Sequence, residues 1–170
     1  MYLEHIVYSS AFALLVGTVA LKLHRTDYSW IIIVFAYAPD MDIALRVGNR
    51  IIALLFHTSV PLPFSQIHSQ LHTLGALVLV ALIISLALSS LGIPLLTGFF
   101  YAALAYGAHL FEDALVYNSG YPFLWPLFSG DIGLGVFGTY HRNFFGVADM
   151  LVLFLGIVFL LIVIIVRKYA

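Results

Sequence analysis

Residues 29–46 read SWIIIVFAYAPDMDIALR, and the fold turns on how that stretch is taken. From Ser29 to Ala38 it is an apolar run of the kind that enters a membrane. Pro39, Asp40 and Asp42 then interrupt it, and Ile43–Leu45 resumes it as far as Arg46. Proline pushes the residue before it away from helix and is accepted in a first helical turn, so the backbone is expected to break or restart here. Broken backbone at membrane depth is tolerated only against protein or water. Residues two apart lie about 200° apart on a regular helix, so both aspartates reach one point only if the segment is irregular. Helix capping is the alternative use of an aspartate here, and it accounts for one more easily than for two.

The rest of the chain supplies the membrane. Its 170 residues are 63% apolar, with mean hydropathy +1.08, against roughly 45–50% apolar in soluble domains. A crossing helix needs ~20 mostly apolar residues. Ile6–Leu23, the interrupted Ser29–Arg46, Leu74–Leu91, Pro94–Asp113 and Met150–Val166 come close. The expectation is an all-α polytopic bundle of about five spans forming a single domain, 1–170. Ile51–Phe56 is too short to cross and reads as interfacial or re-entrant. Leu62–Phe64 follows Pro61 in a loop, and Val116–Gly146 is a long loop rich in glycine and aromatics. The aromatics Tyr117, Tyr121, Phe123, Trp125 and Phe128 read as an interfacial belt or as the wall of a lipid-facing entrance. Glu4 precedes the first apolar run and no small-residue cleavage site follows it, so no secretory signal peptide is expected. The chain has no cysteine, which excludes disulfides and thiolate metal sites. A net charge of −1 without a basic patch argues against a nucleic-acid partner.

Folding five segments up and down sorts the polar residues. Six of the seven histidines and seven of the eight acidic residues fall on one side. Lys22, Arg25, Arg167 and Lys168 flank helices on the other, which marks that side as cytoplasmic. The acidic, histidine-rich face is then external to the plasma (inner) membrane, although Arg46, Arg50 and Arg142 also fall there. His109 and Asp113 are four apart in one helix and share a face, with Glu112 a partial neighbour. Ionisable residues at membrane depth mark functional sites; the plainer alternative is a buried His–Asp hydrogen bond between helices. His68 and His72 are also four apart, a spacing that can place two imidazoles on one metal, or that simply leaves two wetted histidines at a helix start. His5 alone is an ordinary interfacial histidine, His57 has no clear partner, and Asp149 complements a helix dipole. Together these residues offer imidazole and carboxylate ligands for a divalent metal, with zinc expected and manganese or iron compatible. Two ions ~3.5–4 Å apart can generate hydroxide and stabilise attacking and leaving oxygens, which is chemistry for phosphoesters.

The order of these residues is familiar. His5, Pro39-Asp40-Met41-Asp42, His68-Ser69-Gln70-Leu71-His72-Thr73, His109-Leu110-Phe111-Glu112-Asp113, then Gly120, Pro126 and Ser129 resemble the YdjM-like family of membrane-bound metal-dependent hydrolases. The order is also distantly similar to zinc-dependent phospholipase C and the zinc nucleases. The resemblance implies that His109, Asp113, His72 and one of Asp40 and Asp42 share one metal. It implies that Asp113 bridges to a second metal held with His5, that His68 belongs to the motif, and that His141 stands where a later ligand is expected. This chain departs from the family where His68 and His72 stand four apart instead of five, so that His72 is the histidine that matches, where no arginine follows His68, and where Phe145 replaces a carboxylate after His141.

The expected function is hydrolysis of a phosphoester in a lipid or lipid-linked substrate. One of Asp40 and Asp42 would act as general base, and Arg142 would neutralise phosphate. A proton or divalent-cation transporter, or a membrane scaffold with a structural metal, are the alternatives. A relay needs polar groups at several depths, and a structural site is coordinatively closed.

Overall fold

The computed structural model describes residues 3–24, 26–58, 64–116, 121–134 and 150–169. These form seven helices: α1 (Leu3–His24), α2 (Trp30–Phe35), α3 (Met41–Phe56), α4 (Phe64–Leu71), α5 (Leu74–Ser89), α6 (Leu95–Val116) and α7 (Met150–Tyr169). Within the described residues the only β pairing is an isolated bridge between Tyr121 and Ile132. Helix α6 is central: it packs on α5, α2 and α1, while α7 lies along α1. Ala13, Ile31, Ile32, Ala81, Ile84, Tyr101, Ala102 and Ala105 form the core between them.

Among the described residues, two helices are long and apolar enough to cross a membrane by length and composition. They are α1 over Leu3–Leu23 and α7 over Val152–Tyr169. Helix α5 is apolar but shorter, and the Ser29–Arg46 segment is divided as expected. Its first half is the six-residue α2. A ladder of short turns follows, with Ala38 N–H donating to Phe35, Asp40 N–H to Tyr37 and Met41 N–H to Ala38. The break is therefore real, and it is wound rather than extended.

The start of α2 is fixed by a glycine. The chain after α1 folds back so closely that a Cβ on Gly17 would sit 2.6 Å from Ser29 Oγ and 2.7 Å from Asp27 Oδ2. Asp27 Oδ1 accepts from Ser29 N–H at 2.7 Å, closing that turn. The return path thus begins level with Gly17, not with the end of α1. From Gly17 back to His5 is about 18 Å at helical rise, and from Ser29 to Asp40 about 17 Å. The match explains how so short a segment brings Asp40 level with His5. Gly17→Leu is expected to force Ser29 and Asp27 aside and cost about 1–3 kcal/mol, read as a lowered Tm in detergent. An unchanged Tm would show that the turn is not held at this level.

Helix α3 departs from the sequence reading. That reading stopped the segment near Arg46 and set Ile51–Phe56 apart, whereas one helix runs through both. Gly48 and Asn49 are weak helix formers, but no proline follows to break the ladder. Ala44, Leu45, Gly48, Ile51, Ile52 and Leu55 recur at helical spacing, opposite Asp42, Arg46, Asn49 and Arg50. Leu45, Ile51 and Leu55 are exposed, and α4 is the only helix α3 packs against among the described residues. Phe64, read as loop, begins α4.

Helices α5 and α6 form a tight hairpin. Gly92 takes a left-handed conformation (φ 84°) in the turn, and Gly98 lets α6 approach Ser85, whose Cα would lie 3.3 Å from a Cβ there. The other end of α5 is capped twice over. Thr73 Oγ1 accepts from Ala76 N–H, and the Phe123 and Trp125 carbonyls accept from Leu74 and Gly75 N–H. Segment 121–134 is held against the bundle by those bonds and by Leu134 N–H donating to Ala114.

Candidate metal centre

Four parts of the fold deliver ionisable side chains to one buried point. The first turn of α1 brings His5. The break before α3 brings Asp40. The end of α4 and the residue after it bring His68 and His72. The last turns of α6 bring His109, Glu112 and Asp113. His5, His72, His109, Glu112 and Asp113 are all buried to 3% exposure or less. Burying so many ionisable groups is costly unless they are paired or hold a metal.

The imidazoles are fixed from behind. His109 Nδ1 donates to the Ala36 carbonyl at 2.9 Å, which the break after α2 leaves free of the helical ladder. His72 Nδ1 donates to the His68 carbonyl at 2.8 Å. His5 Nδ1 donates to Glu112 Oε2 at 2.6 Å. An acceptor on Nδ1 sets the tautomer, leaving the Nε2 lone pair outward, as in metal-ligating histidines. All three Nε2 atoms then face carboxylates. Asp113 Oδ1 is 3.5 Å from His5 Nε2. Asp113 Oδ2 is 3.1 Å from His72 Nε2 and 3.6 Å from His109 Nε2. Asp40 lies 3.7 Å from His72 Nε2 and 3.8 Å from His109 Nε2. The Nε2 atoms of His72 and His109 are buried without a hydrogen-bond partner. The His5 and His109 rings are stacked, their centroids 4.2 Å apart.

Lone pairs turned towards carboxylate oxygens repel each other, and a cation between them removes the repulsion. Three overlapping groups could hold a metal ion: His5, Asp40 and His109; Asp40, His68 and His72; and His72, His109 and Asp113. Within each group the ligand atoms lie within 4.8 Å of one another. The donor set is imidazole and carboxylate, which fits a borderline divalent ion.

The two aspartates part company. Asp40 stands at the N-cap of α3, yet its side chain makes no capping hydrogen bond; its oxygens face the histidines instead. Asp42 is fully buried, with Oδ1 accepting from His68 Nδ1 at 2.9 Å and Oδ2 from Arg46 at 2.7 Å. It belongs to none of the three groups. The expected choice of one aspartate thus falls on Asp40, with Asp42 holding His68. His68 Nε2 is 3.1 Å from the Tyr121 hydroxyl, so both its nitrogens have partners beside the cluster.

Two positions have roles that the sequence does not assign. Glu112, in the sequence a partial neighbour of the His109–Asp113 face, anchors His5. Its spacing from His109, three residues on, was the available signal. Tyr121 was read as belt or wall, but it also bonds His68 and packs on the His72 ring at 4.7 Å; nothing in its surroundings signals that. Phe123 is buried, whereas Trp125 and Phe128 are exposed. His141, Arg142 and Asp149, together with Tyr117 and Gly120, lie outside the described residues.

Burial drives the His72 imidazole towards neutrality, but the negative charge of Asp113, the His68 carbonyl and the charge of Asp40 outweigh it. Its pKa stands above the ordinary histidine value. At the opposite end of the bundle the charge pattern differs: Arg167 approaches Asp27 at 3.8 Å, tying the end of α7 to the turn before α2.

A family model described as YdjM inner membrane protein matches residues 1–170, the whole chain. No curated protein and no solved structure matches it.

Proposed function

The chain belongs to the YdjM inner membrane protein family, and from that premise we propose that it is a membrane-bound metal-dependent hydrolase of phosphoesters in lipid or lipid-linked substrates. The observation that carries this reading is the convergence of three anchored imidazoles on Asp40 and Asp113 inside a membrane protein. His72, His109, Asp113 and Asp40 would hold one divalent ion, zinc first among the candidates, and His5 with Asp113 a second. When bound, such ions supply hydroxide at neutral pH and neutralise phosphoryl charge. Asp40, the less buried of the two carboxylates that face the histidines, would accept the proton of an attacking water. Asp42 and Tyr121 keep His68 in position. Arg142 is assigned the phosphate.

In the membrane arrangement that goes with this reading, α1, the α2 segment, α5, α6 and α7 make five passages. The exposed apolar stripe of α3 lies in the interface, as amphipathic helices do. The cluster then sits near the external face, opposite Arg167 and Lys168. Single-level clustering favours this reading over a transport relay, which needs polar groups at several depths.

The test is hydrolysis. Protein loaded with zinc or manganese is expected to cleave phospholipids or a simple phosphodiester, and a loaded protein inert across a broad panel would overturn the reading. The pH dependence has a defined sign. His72 must be neutral to bind metal, and its raised pKa means that protons compete more strongly than at an ordinary histidine. Metal affinity therefore falls as pH drops from about 8 to 6. In metal-free protein the sign is opposite. A histidine with a raised folded pKa stabilises below the unfolded value and loses that contribution as pH rises through the folded one. Metal titrations at several pH values should show affinity rising with pH; a flat profile would place His72 outside the ligand set.

A further inference from the structure

A cavity of about 200 Å³ lies between α1, α6 and α7. Tyr8, Leu115, Val152, Leu155 and Phe159 give it an apolar lining, and among the described residues its one carboxylate is Glu112. Leu155 is exposed, so the cavity reaches the flank of the α1–α7 pair. Among the described residues those are the two helices long and apolar enough to cross a membrane, and in the membrane arrangement proposed above that flank faces hydrocarbon rather than water. Glu112 is the link inward. One oxygen, Oε2, accepts from the metal-facing His5. The other, Oε1, is buried with no hydrogen-bond partner, although a buried acceptor ordinarily has one.

An apolar groove with one unsatisfied acceptor is the lining expected for an apolar ligand oriented by a single polar contact. We propose that this groove receives one hydrocarbon chain of a lipid substrate laterally from the bilayer, and that Glu112 Oε1 accepts a hydrogen bond from a hydroxyl or amide N–H of that lipid next to its phosphoester. The proposal rests on the hydrolase reading and adds to it the substrate class and the route of entry. A chain held between Tyr8 and α7 brings its polar end to Glu112, one residue from Asp113 and hydrogen-bonded to His5. A free phosphate or a soluble ester has no use for the groove.

The experiment is photo-crosslinking of the full chain in phosphatidylethanolamine nanodiscs, with a lysophospholipid, whose free glycerol hydroxyl next to the phosphoester is the donor, carrying a diazirine in its acyl chain. Adducts are expected on α7 between Val152 and Phe159 and on α1 near Tyr8. Val152→Trp, which fills the groove, should lose them while keeping its metal and its cleavage of bis(p-nitrophenyl) phosphate. Leu155→Trp at the rim is the second variant should the first fold poorly. Diacylglycerol, which carries a hydroxyl donor, should suppress the adduct more than triacylglycerol, which carries none. Adducts elsewhere, or adducts undiminished in both tryptophan variants, would overturn the groove. Equal suppression by the two glycerides would overturn the role of Glu112. The labelling needs no turnover, so adducts at the groove in a protein that hydrolyses nothing would support lipid entry while removing the hydrolase reading on its own.

Discussion

On the proposed hydrolase reading, Asp113→Asn is expected to purify without a divalent metal and to lose at least ~10³-fold in kcat/KM, about 4 kcal/mol of transition-state stabilisation. Both oxygens of Asp113 are committed: Oδ1 towards His5 Nε2 at 3.5 Å, Oδ2 towards His72 Nε2 at 3.1 Å and His109 Nε2 at 3.6 Å. Asparagine removes the negative charge and turns one of these oxygens into a donor group. Truncating His109 to alanine should act alike, since it deletes a ligand anchored on the Ala36 carbonyl. The informative contrast is Asp42→Asn. Asp42 is as deeply buried, and the Pro-Asp-x-Asp pattern gives it equal standing with Asp40, but its oxygens are taken by His68 and Arg46. Asp42→Asn should therefore retain most of its metal. Elemental analysis of the purified proteins reads the outcome. Metal kept by Asp113→Asn and lost by Asp42→Asn would refute the geometry.

The contrast shows what was legible in the sequence. Helix type and membrane character follow from apolar runs, and the break at Pro39 from proline chemistry. The pairing of His109 with Asp113 follows from helical spacing alone, because neighbours four apart must share a face. The choice between Asp40 and Asp42 was not legible, since it depends on where the chain re-enters helix. Asp40 stands at the threshold and turns inward, while Asp42, two residues on and so on the other side of the helix, meets Arg46 four residues later. The length of the return path was hidden too. It is set by a contact between Gly17 and residues 27–29, and no local pattern announces a contact between helix and turn. Glu112 was underestimated for a related reason. Its partner His5 stands 107 residues away, and an anchoring carboxylate is visible only once the imidazole it holds is in place. The continuity of α3 was lost to weak helix formers, which lower propensity without breaking a helix that its amphipathic stripe sustains.

Removing the metal should be nearly as consequential as removing a ligand. In the metal-free protein the Nε2 atoms of His72 and His109 stay buried without partners, close to the oxygens of Asp113 and Asp40, and each unsatisfied buried group costs about 1–3 kcal/mol. A bound ion satisfies them together and stabilises only the folded chain. At a free concentration a thousandfold above Kd the gain is about 4 kcal/mol, which for a chain of this size corresponds to roughly 8–16 °C in Tm. Chelation should therefore lower Tm by that order, and re-addition of zinc should restore it in a concentration-dependent way. His109→Ala supplies the control. It lacks one of the converging lone pairs, so its Tm should start below that of the loaded wild type and respond little to zinc. An equal response in both proteins would mean that the ion stabilises through some other part of the surface. No response in the wild type would mean that the anchored imidazoles and their carboxylates are stable as a hydrogen-bonded network, and the metal-dependent chemistry proposed for them would fall with it.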